Sequence, residues 1–267
     1  MNSTLTRAIS GAVYILLLVS ATMYSSNSFL LFFGVLLVLA VIEFCKLVTL
    51  KSTIPLLVSI GLFILFNLSY TNKTNDILIL LATLLVTLKA IVFLFDKKNK
   101  PIDSLSKYVY LIGYVTLPFI LITKLPFVEN NYNPKIILSI FILIWVNDTF
   151  AFLVGKTFGK HKLFEKVSPK KTIEGFVGGF IFSIITGFIL AKYLMLQSYF
   201  HWISIAILAS VFGTLGDLVE SKFKRIANVK DSGNIMPGHG GVLDRLDSII
   251  FVAPIVYLFY QILFYVS

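Results

Sequence analysis

A chain of 267 residues, 57% of them hydrophobic and 13% charged, with a mean hydropathy of +0.91, is not a soluble globular domain, in which about a quarter of residues carry charge. Its formal net charge of +10 suits anionic phosphates or lipid headgroups, although basic loops alone produce such an excess in many membrane proteins. Cys45 is the single cysteine, which excludes an intrachain disulfide and a thiolate metal cluster.

Nine apolar runs read as transmembrane helices, helical because lipid offers the backbone no outside partner. The first, Ala8–Met23, follows Arg7 and carries a weak cleavage-like Val19-Ser20-Ala21, so a signal peptide is its competing reading. Phe29–Cys45 contains Glu43, Ile54–Tyr70 is uncharged, and Ile77–Phe95 contains Lys89. Glu43 and Lys89 lie near the ends of their spans and read as snorkelling or structural groups. Tyr108–Thr123 precedes Ile136–Phe158, near whose middle stand Asn147 and Asp148. An ionisable residue at that depth reads as functional or as a hydrogen-bonded carboxyl between helices; Lys156, two turns on, is the expected partner of Asp148. Ile173–Met195, Trp202–Ser221 and Leu246–Val266 complete the set.

One face of this arrangement collects Arg7, Lys46, Lys51, Lys97, Lys98, Lys100, Lys107, the six lysines from Lys156 to Lys171, and Lys222, Lys224, Arg225 and Lys230. The other holds only Lys73, Lys124 and Lys135. The positive-inside rule then places the N-terminus in the cytoplasm and the C-terminus outside. Loss of the first span would spoil this alternation. The chain is expected to be a single all-α membrane domain, residues 1–267. Residues 1–130 form a helical scaffold and residues 131–267 the working half, where the polar chemistry gathers.

Within that half, Ser168-Pro169 reads as a helix N-cap with proline in the first turn. Lys170 and Lys171 would then stand at a helix N-terminus, which favours an anion. Gly175, Gly178 and Gly179 suit close helix contact. Asp217, Ser221 and Lys224 share a helix face, as do Asp244 and Asp247. Three carboxylates beside a basic loop suit Mg²⁺, which takes one or two carboxylates together with substrate phosphates. Lys222, Lys224 and Arg225 are available for the phosphates. Gly238, Gly240 and Gly241 allow either backbone approach to an anion or a tight turn. His239 reads equally as a hydrogen bond to phosphate or as structure.

The run Ser221-Lys222-Phe223-Lys224-Arg225, then Lys230-Asp231, then Pro237 through Asp247 (PGHGGVLDRLD) resembles the signature of the phosphatidate cytidylyltransferases. The stretches NDTFAFLVGKTFGKHKL and SPKKTIEGFVGG are similar to other polar segments of that family, with Phe150 standing where a small residue is expected. The N-terminal spans resemble it only in hydrophobicity. The resemblance implies transfer of a cytidylyl group from CTP to phosphatidic acid, giving CDP-diacylglycerol and pyrophosphate. It also implies a multi-pass protein of the cell (inner) membrane, working on the cytoplasmic side and often as a homodimer. Asp217, Asp244 and Asp247 become Mg²⁺ ligands, with K⁺ as a possible second ion, and catalysis is expected from these three with Lys224 and Arg225. Substrate binding is expected from Ser221, Lys222, Lys170, Lys171, His239, Gly240 and Gly241, with Asn147 and Asp148 secondary. Nucleic acid is not an implied partner. Competing readings are an ion-coupled transporter, which favours midplane sites and repeats not visible here, and a relative using another lipid acceptor, such as a CTP-dependent polyprenol kinase or an archaeal-type lipid cytidylyltransferase.

Overall fold

The structure, a computed structural model, describes residues 3–68, 73–96, 101–128, 131–195 and 198–266. Lys97, Lys98 and Lys100, the end of the span drawn to Tyr70, and the scaffold boundary at residue 130 lie outside them. Among the described residues nine helices follow the nine apolar runs. They are α1 Ser3–Tyr24, α2 Ser26–Leu47, α3 Thr53–Leu68, α4 Lys73–Phe95, α5 Ser104–Lys124, α6 Pro134–Phe158, α7 Ile173–Met195, α8 Tyr199–Ile226 and α9 Leu243–Val266. Two small antiparallel pairs join them: β1 Phe127–Val128 with β2 Asn131–Tyr132, and β3 Lys162–Phe164 with β4 Ser168–Thr172. The chain is an all-α polytopic membrane protein.

Eight of these helices, not nine, are long and apolar enough to cross a bilayer. The exception is α3, whose 16 residues rise about 24 Å against a hydrocarbon core of about 30 Å. It still runs beside α5 in the same direction: Ser59 meets Thr116 (2.8 Å), and Thr123 donates to Asn67 (2.8 Å).

Side-chain contacts sort the helix ends into two groups. At one end Lys107 reaches Thr49, Ser10 meets His239, and Glu43 meets Ser232. At the other, Lys124 pairs with Asp76 (2.7 Å) and Tyr132 donates to the carbonyl of Thr22. The basic loops that the charge pattern groups together are therefore at one end of the bundle, as far as they are described.

Two packing features position the polar end. Phe223 of α8 is buried among Phe44, Phe93, Tyr110 and Tyr114, with ring centroids 5.0–5.4 Å away; one ring thus fixes α8 against α2, α4 and α5. The close contact expected of the glycines is present between α6 and α7. A Cβ at Gly175 would lie 2.6 Å from the carbonyl oxygen of Ala151, and one at Gly179 2.5 Å from that of Asn147.

Glu43 is structural. Only 2% exposed, it leaves α2 to accept hydrogen bonds from Val242 N (3.0 Å), Leu243 N (2.9 Å) and the Ser232 hydroxyl (3.0 Å). The first amides of a helix have no partner within it and carry partial positive charge, so a carboxylate from another helix can cap α9. Lys89, on α4, donates to Ser106 (2.9 Å) and lies over the Tyr110 ring. Glu43→Leu removes the acceptor from three buried donors and is expected to cost about 2–4 kcal/mol. The check is a thermal unfolding midpoint in detergent, and an unchanged midpoint contradicts the capping role.

Candidate active site

A cavity of about 670 Å³ opens at the polar end between α6, α7, α8 and α9. Its cations are Lys156, Lys162, Lys170, Lys171, Lys224 and Arg245, and its anions are Asp148, Asp217, Asp231, Asp244 and Asp247. The helical face that aligns Asp217 with Lys224 points into it, as does the first turn of α9.

Each carboxylate has a distinct setting. Asp217 is paired with Lys171 (2.6 Å) and accepts from the Ser221 hydroxyl (3.2 Å). Asp244 accepts from Lys224 (2.6 Å), from Ser232 through both amide (2.8 Å) and hydroxyl (3.0 Å), and from the Gly241 amide (2.7 Å). Asp247 takes one amide, that of Ser248 (2.7 Å). Asp148 is exposed to the cavity and accepts from Asn147 (3.3 Å), whose own carbonyl is held by Ser210 (2.5 Å). The expected partnership of Asp148 with Lys156 is not formed; Lys156 is exposed at the rim.

The three aspartates share a cavity, but among the described residues no three His, Cys, Asp or Glu side chains converge as a metal cage. The donor set is nonetheless of hard oxygens. Asp217 and Asp247 suit an ion that takes its remaining ligands from phosphate and water, as Mg²⁺ does. Asp244 differs from its two companions because its oxygens already organise the loop before α9.

Several expected site residues are placed elsewhere. Lys222, 2% exposed, is not at the cavity; its ammonium donates to the carbonyls of Phe93, Leu94 (3.3 Å) and Asp96 (2.7 Å), at the end of α4. Helix C-terminal carbonyls lack partners and attract cations. Arg225 donates to the carbonyls of Val167 and Val229, both at 3.3 Å, and ties down the β3–β4 hairpin. Relative to Asp217, Lys222 is turned by about 140° and Arg225 by about 80° around α8, whereas Lys224 is within about 20°.

Ser168-Pro169 is no helix cap. It begins β4, paired with β3, and α7 starts after Thr172, whose hydroxyl accepts from Gly175 N (3.1 Å). Lys170 and Lys171 consequently stand on a strand, still lining the cavity. Burial opposes the charge on Lys171, but Asp217, with Asp148 and Asp247 behind it, outweighs that and holds its pKa above the ordinary lysine value.

The glycines of PGHGG form a turn. Gly238 and Gly240 have φ of +76° and +85°, which a side chain rarely adopts, and Met236 N bonds to Gly240 O (2.9 Å). The Gly241 amide faces Asp244 rather than the cavity. His239 contacts Ser10 of α1 (2.6 Å). Burial, then Arg245 and Arg7, hold its pKa below the ordinary histidine value, so it is neutral at pH 7.

Glu220 and Arg245 were not singled out in the sequence. Glu220, 1% exposed, grips Lys224 at 2.5 Å opposite Asp244; its spacing of three from Asp217 and four from Lys224 was the available sign. Arg245, inside the motif, lines the cavity and donates to the His239 carbonyl (2.9 Å).

The profile of the cytidylyltransferase family matches residues 5–263. The chain belongs to this family. Phosphatidate cytidylyltransferases are among its relatives: that of Bacillus subtilis (strain 168) is 44% identical over 153 residues, 55% of this chain and 57% of the relative. Those of Staphylococcus haemolyticus (strain JCSC1435) and Staphylococcus aureus (strain COL) are each 49% identical over 120 residues, 45% of this chain and 46% of theirs. The alignments thus span about half the length of these relatives. Phe150, unexpected in this family, stacks on Phe182 of α7 with centroids 3.7 Å apart and does not line the cavity.

Bonds to a charged acceptor contribute about 1.5–3 kcal/mol each. Asp244→Ala is therefore expected to speed hydrogen exchange of the Ser232 and Gly241 amides roughly ten- to a hundredfold. Exchange mass spectrometry of the 231–241 segment checks this, and unaltered protection contradicts the loop-organising role.

Proposed function

We propose that this protein transfers the cytidylyl group of CTP to phosphatidic acid, producing CDP-diacylglycerol and pyrophosphate, at the cytoplasmic face of the membrane. The observation that carries the reading is a single cavity that sets six cations against five carboxylates at the basic end of a membrane bundle. Such a place suits two polyanions, one confined to lipid and one to water. The relatives' name and the family match support the same chemistry.

In this reading an oxygen of the lipid phosphate attacks the α-phosphorus of CTP. A new P–O bond forms while the bond to the β-phosphate oxygen breaks, and pyrophosphate departs. A phosphate monoester carries about −1.5 to −2 charges at neutral pH, so the nucleophile needs no dedicated base. The remaining task is positioning and charge neutralisation. Lys156, Lys162, Lys170 and Arg245 are exposed at the cavity and available to the triphosphate, and Lys171 stands deeper. Glu220 and Asp244 hold Lys224 from two sides and thereby fix its ammonium at the wall. Asp217 and Asp247 are the residues that would hold Mg²⁺, which supplies further charge neutralisation on the phosphates when bound.

The test uses purified protein in mixed micelles with phosphatidic acid, each nucleoside triphosphate in turn, and pyrophosphate detection. Release with CTP alone, dependent on lipid and Mg²⁺, is expected; a lipid monophosphate formed from a polyprenol instead overturns the reading in favour of a kinase. Asp217→Asn and Asp247→Asn are each expected to lower kcat on the order of a hundredfold. Lys222→Met, which uncaps α4, should lower the thermal midpoint and leave the KM for CTP near its original value. A large rise in that KM returns Lys222 to the substrate site.

A further inference from the structure

A second hollow, of about 540 Å³, lies outside the charged cavity between α1, α2 and the loop before α9. Ile9, Val13 and Leu17 form one wall, Val35 and Leu39 the other, and Met236 belongs to the loop that closes one end. Ile9, Val13, Leu17 and Val35 are each about half exposed, so the hollow is open along its side. A chamber of about 210 Å³ adjoins it, sharing Tyr14 and Met236 with the groove. The same chamber shares Asp148, Asp244, Arg245 and Asp247 with the charged cavity. An apolar groove, a small chamber and a polyanion site therefore lie side by side, each sharing walls with the next. At their junction the Ser10 hydroxyl, on the groove side, contacts the His239 ring, on the chamber side, at 2.6 Å.

We infer that this groove holds an acyl chain of the lipid substrate, whose phosphate passes the Ser10–His239 contact to reach Arg245. The inference rests on the reaction proposed above and adds where its lipid is bound. Size supports this occupant: the stretch of α1 from Thr6 to Leu17, both at the groove, rises about 17 Å, close to the ~15 Å of one leaflet's hydrocarbon. The chamber also offers a headgroup a partner: the guanidinium of Arg245 lines it beside Asp148, Asp244 and Asp247, and Arg7 packs against Gly238 of the adjoining loop. A second protein chain would not require an apolar groove that ends beside a small chamber carrying Arg245.

The test has two arms. In kinetics, Val13→Trp fills the groove, and Leu16→Trp, on α1 but outside the groove and 65% exposed, is the control. With dioleoyl phosphatidic acid in mixed micelles, Val13→Trp is expected to raise the lipid KM about tenfold without changing the KM for CTP. Dihexanoyl phosphatidic acid, too short to fill the groove, should lose much less. An unchanged long-chain KM overturns the inference, and so does a shift of the Val13→Trp protein in oligomeric size. In the second arm, unsubstituted protein is photolabelled with phosphatidic acid bearing a diazirine on one acyl chain. Labelled peptides containing Val13, Leu17 or Val35, with much weaker labelling from the matching phosphatidylcholine probe, support the groove; equal labelling by both overturns it. If no pyrophosphate is released under any condition while selective labelling persists, the proposed reaction fails and the lipid site stands.

Discussion

Two buried carboxylates hold the polar end of this bundle together, and both act on the same short loop. Glu43 reaches from α2 to the first amides of α9, and Asp244, inside α9, folds back onto the amides of Ser232 and Gly241. Unpaired amides in a membrane protein's interior have no water to turn to, so each is costly unless an acceptor is supplied. Supplying it from separate helices makes the loop conformation and the placing of α9 interdependent. Asp247, Arg245 and the turn carrying His239 inherit their positions from that arrangement.

Charge in the cavity is balanced pair by pair. Lys171 answers Asp217, and Lys224 is shared by Glu220 and Asp244. Isolated charges at this depth would be expensive, but paired ones persist and leave strong local fields for a charged ligand. The same logic explains Lys222 from the opposite side. Its ammonium is neutralised by the carbonyl end of α4, so it stabilises the scaffold instead of meeting substrate. The division into a scaffold and a working half is crossed by these contacts, since α4 engages α8, α2 engages the start of α9, and α1 engages the loop between them.

Much of the candidate site was legible as residue types at helical spacing. Asp217 with Lys224 and Asp244 with Asp247 follow from a 3.6-residue period, and the glycines of α7 mark a close approach that the structure contains. Lys222 and Arg225 were misjudged because closeness along the chain was taken for closeness in space, although the same period turns them away from Asp217. The Ser168-Pro169 pair carries a genuine capping pattern, yet Thr172 offers an equally good cap, and pairing with β3 decides between them. Local preference could not make that choice.

Composition and the spacing of apolar runs determined by themselves that the chain is a polytopic helical membrane protein with its basic loops at one end, because lipid penalises unpaired backbone and charge without regard to partners. The motif likewise marked Asp217, Lys224, Asp244 and Asp247, which share the cavity. Tertiary structure alone decided that Glu43 caps a helix two hundred residues away, that Asp244 serves the loop, and that an apolar groove along α1 lies one small chamber away from the charged cavity. Those outcomes depend on which helices are neighbours and how each is rotated. Periodicity within a single helix carries no information about either.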